Sequence, residues 1–283
     1  MSFVRLLPET RIREALRTIA LERGVRILMA VESGSRAWGF ESPDSDYDVR
    51  FVFARPAEHY LTCGKPPADQ VEWSRDDHGF QLDMVGWDLV KTFRLLVGAN
   101  PSLHEWLSAP SWLRYVPEGQ VIRDMRDVIR NRIPLRAAAH HYISMARNNW
   151  DKYIRNHQQV RLKKYLYALR PALCAAHVLR DEEWPPLTFD TLVARSGEPD
   201  AVLQWARELA SMKRRGTSER DTCDRILPLD RYLSGIFFSE GWRERANALG
   251  SPEDLPRAEL DAILRREVME GTHDGTTAEA HGA

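Results

Sequence analysis

At 283 residues the chain has length for one or two domains, and its formal net charge of −1 excludes a surface that binds nucleic acid through overall charge. Six lysines stand against 34 arginines, spread so evenly that codon composition explains them better than a dedicated site. Three scattered cysteines (Cys63, Cys174, Cys223) lack metal-ligand spacing and fit a reducing, cytoplasmic setting, and neither a signal peptide nor an apolar run long enough for a membrane is expected.

Residues 9–23 repeat apolar side chains at helical spacing (Ile12, Leu16, Ile19, Ala20), with Gly24 as the stop. An apolar strand, Val25 to Val31, leads into Gly34-Ser35 and a short helix, which Trp38 and Phe40 are expected to pack onto the sheet. A second strand follows Asp46-Tyr47-Asp48. Its alternation puts Tyr47, Val49, Phe51 and Phe53 on one face, and Asp46 and Asp48 on the other. After a loop around Cys63–Pro67 comes a hairpin with arms Val71 to Ser74 and Phe80 to Val85, and Asp76 to Gly79 as its turn. Asp83 is the one carboxylate inside the second arm. Asp88 reads as the N-cap of a helix ending at Gly98, and Asn100 starts another, with His104 and Glu105 taken as surface residues.

Past Pro110 strands give way to helices, with the boundary at Pro117-Glu118-Gly119. Residues 135–156 and 159–180 read as two long helices joined around His157, opening a bundle. In the second, Leu162, Leu166, Leu169 and Leu173 form the core stripe. Lys163, Tyr167 and Arg170 form the next, and Pro171 is expected to kink the helix. Helices at 189–194, 202–212 and 252–269 follow. The fold class is α+β: a mixed sheet with flanking helices over 1–116, an all-α bundle over 120–270, and a disordered tail over 271–283.

The chemistry concentrates in residues 33–48. Two carboxylates on one strand face repel, and a divalent cation relieves that cost with oxygen ligands. Gly34 admits a ligand close to the backbone, and Ser35 lies near a helix start that suits phosphate. An EF-hand is excluded, because its glycine and glutamate positions here hold Val49 and Arg55. A solvated Ser/Asp/Pro turn explains Asp-x-Asp alone, but not its spacing from Gly34-Ser35 between two apolar strands.

These residues resemble the DNA polymerase beta-like nucleotidyltransferase superfamily: apolar strand, Gly-Ser, spacer, Asp-apolar-Asp, and a third carboxylate on a later strand. The likeness is closer to nucleotidyltransferases found beside RNA ligases. It is carried by Gly34–Asp48, Gly86-Trp87-Asp88-Leu89, Asn100-Pro101-Ser102-Leu103 and Lys163–Tyr167, over roughly the first 190 residues. The resemblance implies a Mg2+-dependent transfer of NMP from an NTP, with Mn2+ as a substitute. Asp46, Asp48 and Asp83 are then the catalytic carboxylates and ligands of two ions. Gly34, Ser35, Arg36, Lys163, Lys164, Tyr167 and Arg170 are then the nucleotide-binding residues.

From Arg147 to Arg170, seven basic residues face one acid, Asp151, and Tyr153, Tyr165 and Tyr167 are interleaved among them. That stretch suits a triphosphate or a nucleic-acid backbone better than a merely solvated face, and its aromatics suit stacking on a base and packing equally. The resemblance, together with this stretch, implies an RNA 3′ end in RNA repair as the expected acceptor. A protein or small-molecule hydroxyl, or a non-catalytic nucleotide-sensing or toxin–antitoxin module, are the alternatives.

Overall fold

The computed structural model describes residues 7–77, 80–130, 134–216, 221–238, 240–250 and 256–271. The expected turn residues His78 and Gly79, the helix residue Leu255 and the tail past Gly271 lie outside them.

Helix α1 (Pro8–Arg23) has proline in its first turn and ends at Gly24, whose φ of +58° suits glycine. It covers one face of a five-stranded mixed sheet of order β3–β4–β2–β1–β5. Strand β1 (Arg26–Glu32) runs antiparallel to β2 (Tyr47–Ala54), and helix α2 (Gly34–Trp38) lies between them in sequence. Strands β3 (Gln70–Asp77) and β4 (Phe80–Asp88) form the hairpin, with β4 parallel to β2. Asp76 and Asp77, expected in the turn, instead continue the ladder opposite Gln81 and Phe80. Arg11 holds Asp77 there at 2.6 Å, so an acid survives at the strand end.

Alternation sorts the sheet as the sequence implies. Val49, Phe51, Phe53, Leu82 and Met84 pack under α1. A Cβ at Gly86 would lie 2.1 Å from Phe51 Cε2, so that position accepts only glycine. The opposite face carries Asp48, Arg50 and Asp83.

Asp88 caps helix α3 (Leu89–Val97): its Oδ1 accepts the Val90 N–H at 2.9 Å, and its Oδ2 accepts the Tyr60 hydroxyl at 2.9 Å. Helix α4 (Pro101–Ser108) follows, capped by Asn100. Strand β5 (Arg114–Val116) was not expected; three residues are too few for a pattern, but they pair with the free edge of β1. Helix α5 (Gln120–Ile129) comes next.

The remaining elements are largely helical. Helices α6 (Leu135–Tyr153) and α7 (Leu162–Asp181) flank strand β6 (Gln159–Arg161). Helix α6 ends three residues earlier than read from sequence, and α7 starts three later, because 159–161 pair with β7 (Thr222–Asp224). Helices α8 (Phe189–Arg195), α9 (Asp200–Arg214), α10 (Leu227–Phe238) and α11 (Glu240–Ala248) pack around α6 and α7 over Tyr142, Leu166, Leu169, Leu173 and Phe189. Helix α7 continues through Pro171.

Two further features differ from the sequence reading. Helix α12 (Arg257–Glu270) returns to α3 and α5, and Ile122, Met125, Leu260 and Ile263 join Val52 and Phe93 in the core on the carboxylate side of the sheet. Arg26 and Glu267 close this return at 2.7 Å. Residues 120–129 and 257–270, read as part of the helical half, thus share the sheet's core. Phe40 also departs from its expected place on the sheet, meeting Phe189 edge-on at 5.4 Å within the helical half.

Candidate active site

The sheet presents the site where β1 and β2 meet α2. The backbone of Asp48 is held from both sides: the Ser33 N–H donates to its carbonyl at 2.8 Å, and its own N–H donates to Glu32 Oε1 at 3.0 Å. Gly34 has φ +62°, and a Cβ there would lie 2.0 Å from Asp48 Oδ2. Any larger residue would displace that carboxylate.

The parallel register sets Asp48 opposite Asp83. Arg50, two residues along β2 on the same face, bridges them. Its Nη2 donates to Asp48 Oδ1 and Asp83 Oδ2 at 3.0 Å each, and its Nη1 donates to the Asp83 carbonyl at 3.1 Å. Asp46 is exposed in the loop just before β2. Burial pushes the Asp48 carboxyl above its ordinary pKa; Arg50 opposes that rise, while Asp83 and Asp46 add to it. Asp83 and Asp46 therefore both act on Asp48, although among the described residues no three acidic, His or Cys side chains converge as a metal cluster. Asp48 and Asp83 converge instead on a guanidinium. An all-oxygen donor pair already gathered around a positive charge fits a hard divalent cation.

The loop under this pair is a buried polar network. Ser35 Oγ lies 3.3 Å from Ser45 Oγ, which also meets Ser42 Oγ at 2.9 Å and the ammonium of Lys213 at 3.5 Å. Arg36 donates to the carbonyls of Ser45 (2.7 Å) and Asp46 (3.1 Å) and stacks 3.8 Å over Tyr47. It holds the loop that carries Asp46.

A cavity of about 370 Å³ opens over the site, walled by Gly34, Ser35, Asp48 and Arg50 from the sheet and by Asn149 and Tyr167 from the helices. Arg170 also reaches its wall. That guanidinium is 3% exposed, donates to Glu105 Oε1 at 2.9 Å, and lies 4.2 Å over Trp38, whose Nε1–H donates to Glu105 Oε2 at 3.0 Å. Asp46, Asp83, Arg36, Lys163 and Lys164 are not among the lining residues. The two lysines precede Tyr167 by one helical turn, and Lys164 Nζ lies 3.7 Å over the Tyr153 ring and 5.5 Å from that of Tyr167.

Of His104 and Glu105, both taken from sequence as surface residues, His104 is buried and Glu105 only partly exposed, because α4 is enclosed between α3 and α6. The His104 ring lies 4.4 Å from Trp184, and burial pushes its imidazole down to about 4.

Sequence reasoning passed over Glu32, Arg50, Tyr115 and Asn149. Glu32 is 5% exposed, and burial pushes its carboxyl up to about 7. The Tyr115 hydroxyl donates to Glu32 Oε2. An acid ending an apolar strand two residues before Gly34, and a cation two residues after Asp48, were readable signals. Tyr115 and Asn149 come from distant elements and left none.

A model of the RNA repair pathway DNA polymerase beta family matches residues 9–266. Uncharacterized protein YcgL of Bacillus subtilis (strain 168) is 36% identical over 266 residues, covering 94% of this chain and 98% of that one. A solved nucleotidyltransferase-like protein from Exiguobacterium sibiricum 255-15 aligns over 92% of each chain at 14% identity with a TM-score of 0.32, a distant likeness on which nothing below rests.

Proposed function

Because the chain belongs to the RNA repair pathway DNA polymerase beta family, and so to the polymerase beta-like nucleotidyltransferases, we propose that it transfers NMP from an NTP to an acceptor hydroxyl and releases pyrophosphate. The observation that carries this reading is the pairing of Asp48 with Asp83 in parallel register, directly over a glycine that no other residue could replace.

In this reading Asp46, Asp48 and Asp83 hold two divalent cations, Mg2+ or Mn2+. Those cations supply charge neutralisation at the α-phosphate and a lowered pKa for the attacking hydroxyl. Gly34 and Ser35 receive the β and γ phosphates, and Arg36 fixes the loop around them. Lys163 and Lys164, one helical turn before the cavity-lining Tyr167, neutralise the departing pyrophosphate, Tyr167 walls the nucleotide, and Arg170 adds its charge from the cavity wall. The acceptor oxygen attacks phosphorus in line as the bond to the bridging oxygen breaks, and Asp83 takes the acceptor's proton. Positioning and electrostatics supply most of the rate.

An RNA 3′ end is the proposed acceptor. Its support is the family together with the basic and aromatic side chains that run outward from the cavity: Tyr153, Lys164, Lys152, Arg155 and Arg161. The full chain is incubated with each α-labelled NTP, Mg2+ and a pool of small RNAs. Labelled RNA with one or more NTPs is the expected result. Label on protein or small molecules only would move the acceptor to those classes, and no transfer to any acceptor would sink the catalytic reading.

A further inference from the structure

Arg50 is the least expected member of the site. It sits in β2 between Val31 of β1 and Val85 of β4, so its backbone cannot move without breaking the sheet. Alternation fixes its side chain on the face of Asp48. Its guanidinium, on a flexible stem, is held between the two carboxylates proposed above to bind a divalent cation and by the carbonyls of Val49 and Asp83 at 3.1 Å each.

Two cations cannot share that place. At about 4 Å their repulsion amounts to several kcal/mol even with strong screening by the surrounding protein and water. A divalent ion bound by Asp48 and Asp83 therefore expels the guanidinium. Arg50 also lines the cavity, so the group can turn into it from the same anchored stem. Of the two arginines that line the cavity among the described residues, Arg170 is fixed between Glu105 and Trp38, whereas the charged partners of Arg50 are the two carboxylates a cation would take. A planar fork released beside Gly34 and Ser35 matches two oxygens of a phosphate chain.

Resting on the nucleotidyltransferase reading, we propose that Arg50 fills the cation place in the metal-free protein and, when a divalent cation takes that place, turns to bind the phosphate chain of the incoming nucleotide. Metal entry thereby creates a phosphate site, so the cation and the triphosphate load together. Without metal, the same residue keeps two adjacent carboxylates from repelling each other.

Mn2+ binding is measured by electron paramagnetic resonance on the full chain, with and without inorganic tripolyphosphate, for wild type, Arg50→Gln and Arg50→Lys. Removal of the internal competitor should tighten Mn2+ binding about tenfold in Arg50→Gln without phosphate, a modest share of the repulsion relieved. The same variant should bind Mn2+-tripolyphosphate about tenfold more weakly, for loss of a charge-assisted pair. Arg50→Lys should stay near wild type for Mn2+ alone and fall between the two for tripolyphosphate. A second measurement needs no variant. Phenylglyoxal labelling of Arg50, mapped by mass spectrometry, should be slow in metal-free wild type, faster with Mn2+, and slow again once tripolyphosphate is added. Equal Mn2+ affinity in wild type and Arg50→Gln, or labelling indifferent to Mn2+, would overturn the proposal and leave the nucleotidyltransferase reading standing. No Mn2+ binding by wild type at millimolar concentration would overturn both.

Discussion

Single atoms set the tolerance of this site. The Gly34 Cα faces Asp48 so closely that Gly34→Ala brings a methyl 2.0 Å from Oδ2 and imposes a left-handed φ on a residue with a side chain. We expect about 1–2 kcal/mol of lost stability from the backbone, and nucleotidyl transfer lost beyond that because Asp48 must move. Denaturant unfolding and turnover measured side by side separate the two effects. Asp83→Asn should cut turnover by several orders of magnitude while NTP binding persists through Asp46 and Asp48. Asp88→Asn should leave turnover largely intact, since asparagine caps a helix as well as aspartate, although it gives up the bond from the Tyr60 hydroxyl and so some stability. A dead Asp88→Asn beside an active Asp83→Asn would reverse these roles. Glu32 adds a pH signature. Its folded pKa of about 7 lies above the ordinary 4.5, so folding favours the protonated form. Its contribution to stability is full below 4.5 and is lost as pH rises through about 7. In EDTA, wild type should therefore lose on the order of 2–3 kcal/mol relative to Glu32→Gln between those limits. Urea titrations of both proteins at the two ends test this, and a parallel pH dependence would mean the carboxyl is ionised without penalty. Asp48 and Asp83 were readable because strand alternation is a local property. Glu32 and Arg50 obey the same alternation, but their meaning depends on which groups a neighbouring strand or loop sets opposite them.

Among the elements, those with strong internal period were the legible ones: α1, β2, β4, α3 and the α6–α7 pair all follow from spacing in the chain. Strand β5 and the pair β6–β7 were not, because three residues carry no pattern and gain their structure only from a partner edge. The extension of β3 through Asp76 and Asp77 was hidden for a related reason: the arginine that steadies the acid is 66 residues away. The basic stretch on α6 and α7 belongs to this scale. Asn149 and Tyr167 wall the cavity, and one turn farther out Tyr153 and Lys164 meet face to charge. If the outer charges track an RNA backbone, replacing Lys152, Arg155 and Arg161 together by alanine should weaken RNA binding while NTP binding holds. For every RNA phosphate that the variant no longer neutralises, the dependence of log K on log salt should flatten by about 0.7–0.9. Filter binding of a tRNA-sized RNA at several salt concentrations measures it. Arg155 also pairs with Asp151 at 3.3 Å and covers Phe238, so the triple variant needs a melting curve beside it. An unchanged slope would move the acceptor away from nucleic acid.

For the whole molecule, the two cores are joined behind the site by Trp38, Glu105, Arg170 and Tyr142. Trp38 comes from the strand-linking α2, Glu105 from α4, and the other two from the long helices. No window of sequence shows that juxtaposition, which is why His104 and Glu105 read as surface residues and Phe40 as a sheet residue. The cluster is charged and almost dry: the Arg170 and Glu105 side chains are 4% and 12% exposed. A buried ion pair is more costly to break than to replace, because the survivor is stranded in a poor solvent. The survivors here are unequal. Glu105 without Arg170 still accepts from Trp38 Nε1–H at 3.0 Å and lies 3.5 Å from the Tyr142 hydroxyl. Arg170 without the charge of Glu105 keeps the Trp38 face and the Leu187 carbonyl at 3.3 Å, and its Nε finds no hydrogen-bond partner among the described residues. Glu105→Gln should accordingly cost about 3–5 kcal/mol, and Arg170→Met less. The double variant should recover much of the loss, since it removes both charges and leaves an apolar contact on Trp38. Because Arg170 also underlies the nucleotide cavity, the double variant should fold yet show a raised KM for NTP with kcat less affected. Melting temperatures for the three proteins and steady-state kinetics for the double variant test both halves of this expectation. If Arg170→Met proves the more damaging single change, the Arg170 guanidinium, not the Glu105 carboxylate, is the group on which the junction between sheet and helices depends.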